Sequence, residues 1–141
     1  MKHIALLLTA LTLAFSATAA VAKEGTRDAT RLAKYEAHAG TPVKNFPYRD
    51  PVGWEVVDDE HILLTVRPKE VYLMRVTGLC IKNHRGAPAM AISSQAGRVS
   101  AGFDRITTGE RMSCRIEEIR PVDMAALKKE DDAKDADKAS S

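Results

Sequence analysis

The sequence is poor in the residues that carry redox, metal and cofactor chemistry. Its 141 residues include only two cysteines, Cys80 and Cys114, and they do not form a Cys-x-x-Cys pair. A thiol redox couple usually shows that spacing, and a zinc site needs more Cys and His ligands at close spacing. A Gly-rich phosphate loop, a Gly-x-Ser-x-Gly elbow and a haem-attachment motif are also missing. We therefore expect no catalytic residues, no enzyme activity, no cofactor and no metal.

Neither sign of charge predominates in the sequence, and aromatic residues are few. The formal net charge is +2, and the charged residues, 28% of the chain, have both signs interspersed. Because nucleic-acid binding needs a concentrated basic face, we do not expect nucleic acid as a partner. Aromatic residues make up 5% of the chain, which fits a single domain with a modest core.

Long apolar segments are confined to the N-terminus, where the pattern is typical of a signal peptide. Lys2 supplies a positive charge, Ile4 to Phe15 is apolar, and Ala20 to Ala22 forms an A-x-A cleavage site before Lys23. We expect residues 1–22 to be removed, since the apolar stretch is short for a retained anchor. The mature chain, without a transmembrane segment, is then expected in the periplasm, with secretion from the cell as the second choice.

The two cysteines are expected to pair with each other after export, because cysteines in short exported chains usually form disulfides. A bond between Cys80 and Cys114 would close a loop of 34 residues. On the chain-entropy model such a loop stabilises the fold by about 4 kcal/mol. The sequence therefore predicts a single structural disulfide.

Short runs of β-branched and aromatic residues alternate with turn residues across the middle of the chain. The predicted strands cover residues 54–57, 61–66, 71–76, 89–93, 98–101, 103–107 and 114–119. Pro121 is expected to leave the sheet, because proline cannot continue a paired strand. Short strands at regular spacing predict a mainly β fold, a small antiparallel, partly open barrel or sandwich of five to seven strands.

The flanking segments differ in composition from this block. Residues 26–39 have a helical stripe that ends at Gly40, where glycine suits the helix C-terminus. The predicted division of the chain is a signal peptide (1–22), a helix with a Pro-rich linker (23–52), a disulfide-closed β domain (53–123) and a disordered charged tail (124–141). Disorder is expected in the tail because it lacks core-forming residues.

Apolar strand residues and the cysteine pair form a pattern over residues 50–123. The pattern consists of Trp54, Asp58, Ile62-Leu63-Leu64, Tyr72-Leu73, Cys80, Ile92-Ser93-Ser94, Phe103-Asp104-Arg105-Ile106 and Cys114-Arg115-Ile116-Glu117-Glu118-Ile119. It resembles a family of small exported bacterial proteins, a domain of unknown function. The resemblance implies an envelope-located β domain with a disulfide, and it brings no catalytic residues.

Four polar residues are candidate ligand or metal-binding positions: Asp58, His61, His84 and Asp104. Oxygen-rich loops can hold calcium, and His with carboxylates can hold zinc or manganese. His84 beside its neighbouring arginine could bind an anion, and Asp104 could act as a general base. The favoured alternative in each case is structural: a solvated turn, an exposed polar loop, and a carboxylate that bonds neighbouring backbone.

These observations favour a non-catalytic exported β domain that binds an envelope protein or another macromolecule, or has a structural role in the bacterial cell envelope. The alternative is a periplasmic module that binds a small ligand or metal through the loops at residues 58–61 and 81–88. A third hypothesis is an enzyme or an enzyme inhibitor that presents the loop at residues 67–70 to a protease.

Overall fold

The computed structural model describes residues 17–78, 81, 89–109 and 112–140, with side chains described from Gly25 onward. This part of the chain contains two helices and eight strands. In chain order they are α1 (Ala17–Ala37), β1 (Asn45–Pro47), β2 (Gly53–Val56), β3 (His61–Arg67), β4 (Glu70–Thr77), β5 (Met90–Ile92), β6 (Arg98–Ser100), β7 (Arg105–Thr108), β8 (Ser113–Pro121) and α2 (Met124–Ala139).

Six strands form one antiparallel sheet in the order β2-β3-β4-β8-β7-β5, which curves into a half-barrel. Strands β2, β3 and β4 are successive neighbours, as expected from the tight turns between them. Strands β1 and β6 pair separately as a small second sheet. The predicted mainly β, antiparallel and partly open architecture is confirmed, with one strand more than the upper limit expected.

The central strands are buried on both faces, which is why their sequences are almost continuously apolar. One face carries the larger core, to which the small sheet contributes Phe46 and Val99. The opposite face carries a second cluster that includes Leu63 and Leu73, and Leu32 of α1 packs against it. The half-barrel is therefore covered on one side by β1 and β6 and on the other side by helix.

The predicted Pro-rich linker contains strand β1, and its aromatic residues belong to the core. Phe46 is 1% exposed, and its ring stacks on that of Tyr72 with centroids 4.2 Å apart. Tyr48 meets Phe46 edge to face at 6.4 Å. Burial of Phe46 and its stacking on Tyr72 both stabilise the fold. These contacts hold the segment against the core.

Helix α1 begins nine residues earlier than predicted, at Ala17, within the predicted signal peptide. The predicted cleavage before Lys23 would shorten α1 from that end, and it stays a prediction. Beyond the helix, the Gly40 N–H donates to the Pro121 carbonyl at 2.8 Å. A Cβ atom at Gly40 would lie 3.3 Å from Pro121 Cγ, so glycine permits this close approach.

Pro121 remains in the sheet as the last residue of β8 and is paired with Tyr72, which corrects the expectation that it leaves. Its carbonyl, which proline retains, accepts the hydrogen bond from Gly40. Proline is therefore tolerated here because it lies at the strand end and contributes an acceptor.

The tail predicted to be disordered is instead helix α2, and this prediction was wrong. Asp123 caps the helix, because its Oδ1 accepts from the N–H groups of Ala125 (3.0 Å) and Ala126 (2.9 Å). Leu127 is buried at 6% exposure and provides the apolar contact that the composition of the tail did not indicate.

Polar contacts with α1 and with His38, the residue that follows it, hold the next turn of α2. Lys34 Nζ lies 2.7 Å from Asp131 Oδ2, and His38 Nε2 lies 2.8 Å from Glu130 Oε2. Glu130 also pairs with Lys134 one turn further along. The contacts of Lys34 and His38 join residues more than 90 positions apart in the chain.

The cysteine pairing predicted from the sequence stays a prediction, because Cys80 lies outside the described residues. Cys114 lies in β8 and is 3% exposed. A Cβ atom at Gly78 would lie 2.8 Å from Cys114 Sγ, and Gly78 has a φ of +106°. Glycine is thus required where the end of β4 passes the sulfur.

Candidate functional site

Asp58 and His61 lie together in the turn between β2 and β3, where the carboxylate organises the backbone. Asp58 Oδ1 accepts hydrogen bonds from the N–H groups of Glu60 (2.8 Å) and His61 (2.7 Å). The same oxygen lies 2.9 Å from His61 Nδ1. An aspartate that bonds backbone two and three residues ahead defines a tight turn, so both side chains have a structural role.

An acidic groove lies between this turn and α1. Residues 58–60 form one wall, and Gly25, Asp28, Ala29 and Leu32 form the other, around a volume of about 360 Å³. Asp28 is buried and lies 3.9 Å from the Arg31 guanidinium. Asp28 was not among the site residues predicted from the sequence, although its spacing from Leu32 places both on one helix face. Over the described ranges, no three His, Cys, Asp or Glu side chains are arranged to hold a metal ion.

Asp104 is 2% exposed and holds the turn between β6 and β7. Its carboxylate accepts from the Ser93 hydroxyl at 2.6 Å and from the Ser100 N–H at 2.7 Å. The Ile116 N–H donates to the Asp104 carbonyl at 2.9 Å. The carboxylate therefore bonds neighbouring backbone, as the structural alternative predicts.

The candidate residues that the structure describes, Asp58, His61 and Asp104, do not converge on one cavity. Asp58 and His61 lie at β3, Asp104 precedes β7, and strands β4 and β8 lie between them. Neighbouring strands are about 4.8 Å apart, so three such steps amount to about 14 Å measured across the curved sheet. His84 lies outside the described residues.

A second groove, which we call the β8-edge groove, was not predicted. It encloses about 410 Å³ and is lined by residues 42–45, 100–101 and 117–119. It forms because the pairing of β7 with β8 ends at Arg115, whereas β8 continues to Pro121. The chain covers the far part of this edge, where the Val43 N–H donates to the Ile119 carbonyl at 2.8 Å.

The groove has a charged rim. The Arg115 Nε–H donates to Glu117 Oε1 at 2.7 Å, and this hydrogen bond is the main reason why the pKa of Glu117 is lowered. Arg75 lowers the pKa of Glu117 further through its charge. Arg105 and Arg115 are directly opposite each other on β7 and β8. Like charges in such a cross-strand pair destabilise the sheet.

Helix α1 covers the edge of the half-barrel at β2. The Arg31 guanidinium donates to the Val56 carbonyl at 2.9 Å, and the Tyr35 hydroxyl donates to Glu55 at 3.3 Å. Burial raises the pKa of Tyr35, and the Glu55 charge raises it further. Covering an edge strand in this way blocks its pairing with another chain.

The fold and these sites define an antiparallel half-barrel protein with helices packed on one face and a small second sheet on the other. A family model matches residues 1–138, and the chain belongs to DUF6491, a family of unknown function. The expected membership of a family of unknown function is thereby confirmed. Neither the curated proteins nor the solved structures include a significant match. Among the described helices, none is long and apolar enough to cross a bilayer.

Proposed function

We propose that this chain is a non-catalytic exported domain that binds another macromolecule in the bacterial cell envelope. The observation that supports this proposal is the use of Asp58 and Asp104 as hydrogen-bond acceptors for their own turns. A general base must direct a lone pair at a substrate in a cleft, and these carboxylates direct theirs at backbone N–H groups.

The burial of the sheet on both faces favours a macromolecular partner over a small ligand in the barrel. Leu64 and Met74 fill the larger core with exposures of 0%, and Leu63 and Leu73 fill the opposite cluster. Small-molecule sites are usually concave and enclosed, whereas partner surfaces lie on the outside of a filled domain. We therefore assign recognition to the outer surface.

The test uses the processed protein with a bacterial envelope fraction. After cross-linking, the captured component is purified, and its affinity for the chain is measured directly by calorimetry. We expect saturable binding of one component and no substrate turnover. Substrate turnover by the wild-type chain would contradict a non-catalytic role if Asp58→Asn stays folded but loses that turnover. The exposed-site control, Asp50→Asn, should then retain it.

The acidic groove supports a second candidate, a module that binds a cation or a small cationic ligand. Four acidic residues, Asp28, Asp58, Asp59 and Glu60, line this groove. A ligand that binds only the folded protein raises the melting temperature by mass action. Calcium, manganese, zinc and polyamines are the probes, with Glu60→Gln as the groove variant and Glu70→Gln as the control. A melting temperature unchanged by every probe rules this candidate out.

A further inference from the structure

Phe103 is 64% exposed at the tip of the turn between β6 and β7. The turn around it is held firmly. Gly102 has a φ of +76°, and its N–H donates to the Ile116 carbonyl at 2.7 Å. The Asp104 N–H donates to the Ser100 carbonyl at 2.9 Å. A side chain displayed by an ordered turn gives up little further backbone entropy when it binds.

The β8-edge groove begins beside this turn, since Ala101 lines it two residues before Phe103. Ala101 and Val43 also pack against the larger core, so part of the groove lining is apolar. A cavity of about 150 Å³ can hold benzene, so a groove of about 410 Å³ has room for a phenyl ring. Each molecule therefore carries an exposed ring and, next to it, a groove of suitable size.

A cation lies beside the ring, whereas the groove is lined by two carboxylates, Glu117 and Glu118, and one cation, Lys44. Arg105 is exposed and follows Phe103 by two residues. The groove rim carries Glu117, which is bonded to Arg115, and Glu118. The unfavourable pairing of Arg105 opposite Arg115 would be relieved by a carboxylate from outside the chain.

We propose that this surface binds a second copy of the chain in a two-fold symmetric dimer. Phe103 of each copy inserts into the β8-edge groove of the other, and Arg105 of each copy pairs with Glu118 of the other. A two-fold interface is self-complementary, so each contact occurs twice. The ring and the groove are adjacent on one surface. A two-fold axis that passes between them would therefore place each Phe103 ring at the groove of the other copy. The dimer does not depend on the envelope partner proposed above.

The dimer is tested by sedimentation equilibrium of the processed protein from about 1 to 500 μM, a range that spans weak to moderate affinities. We expect a reversible monomer–dimer equilibrium. Phe103→Ala should raise the dissociation constant about 30-fold or more, the effect of removing an aromatic anchor. The control is Val52→Ser, since Val52 is 70% exposed and lies outside this surface. It should leave the dissociation constant unchanged.

A charge exchange tests the orientation of the two copies. Arg105→Glu and Glu118→Arg should each weaken the dimer, and the variant that carries both changes should regain it. Circular dichroism establishes that each variant is folded. A wild-type protein that is monomeric over the whole range overturns the proposal. A dimer that Phe103→Ala leaves intact also overturns the proposal. Failure of the double variant to regain association overturns the Arg105–Glu118 pairing.

Discussion

Asp104 is a carboxylate with 2% exposure whose two hydrogen-bond donors are Ser93 and Ser100. Removing a buried acceptor leaves its donors without partners, at a cost of about 1–3 kcal/mol. We expect Asp104→Ala to lower the free energy of unfolding by that amount in urea titrations. Asp104→Asn keeps one acceptor oxygen and should cost less. The exposed Asp50→Asn is the control, and an Asp104→Ala variant as stable as this control would refute the structural role.

Gly78 offers a second test with a matched partner. Its φ is +106°, and an added Cβ would lie 2.8 Å from Cys114 Sγ. Gly97 has a φ of +70°, but a Cβ there would meet nothing within 4 Å. Positive φ costs a non-glycine residue about 1–2 kcal/mol, and Gly78→Ala adds a steric clash. Urea unfolding should therefore show a larger loss for Gly78→Ala than for Gly97→Ala, and equal losses would contradict the close approach.

Helix α2 depends on its cap, since it has only one buried residue, Leu127, and helices in proteins are stabilised mainly by tertiary packing. Asp123 accepts from two N–H groups in the first turn. Asp123→Ala should cost about 1 kcal/mol, the usual effect of losing an N-cap, and should lower the helical circular dichroism signal. Asp132→Ala, an exposed acid in the same helix, is the control. Equal helical signals for the two variants would contradict the importance of the cap.

The contact between the α1 region and α2 should become less stable at low pH. The Lys134 hydrogen bond is the main cause that lowers the pKa of Glu130, and the hydrogen bond with His38 lowers it further. A carboxyl group whose pKa is lowered by folding stabilises the folded state above its unfolded pKa of about 4.3. This stabilisation is lost as the pH falls through the lowered value. Amide chemical shifts of α2 should therefore report loosening as the pH falls below about 4.3. Glu130→Gln should remove this dependence, and its persistence in that variant would assign the loosening to other groups.

Local sequence patterns predicted the strands well because alternation and turn residues act over a few positions. All seven strands predicted between residues 54 and 119 occur within two residues of the expected positions. Helix α2 was missed because its order depends on contacts with residues far away in sequence. Lys34 and Asp131 are 97 positions apart, and no window of local sequence can show that they meet.

The same limit applies to the sites of the whole molecule. The turn at Asp58 and His61 was recognisable because its hydrogen bonds join residues two or three positions apart. The β8-edge groove is built from residues 42–45, 100–101 and 117–119, three segments that only the folded chain brings together. Its existence depends on where β7 ends relative to β8, and strand ends are set by tertiary packing rather than by propensity.

The predicted bond between Cys80 and Cys114 would act on the molecule as a whole. Strands β4 and β8 are already paired, with Thr77 opposite Arg115. The 34-residue loop between the cysteines contains β5, β6 and β7, so the bond would restrain this part of the chain in the unfolded state. We expect oxidised protein to exceed the Cys80→Ala, Cys114→Ala double variant by about 4 kcal/mol in free energy of unfolding.

Mass spectrometry of the processed protein provides the direct measurement. Alkylation of the denatured protein without prior reduction should leave the mass unchanged, and reduction should expose two reactive thiols. Because the bond would close the segment that carries β5–β7, hydrogen exchange after reduction should increase most in those strands. Two thiols that react before reduction would exclude the bond. The double variant should then lose only the packing of the buried Cys114 side chain, a smaller loss than the value of about 4 kcal/mol expected of the disulfide.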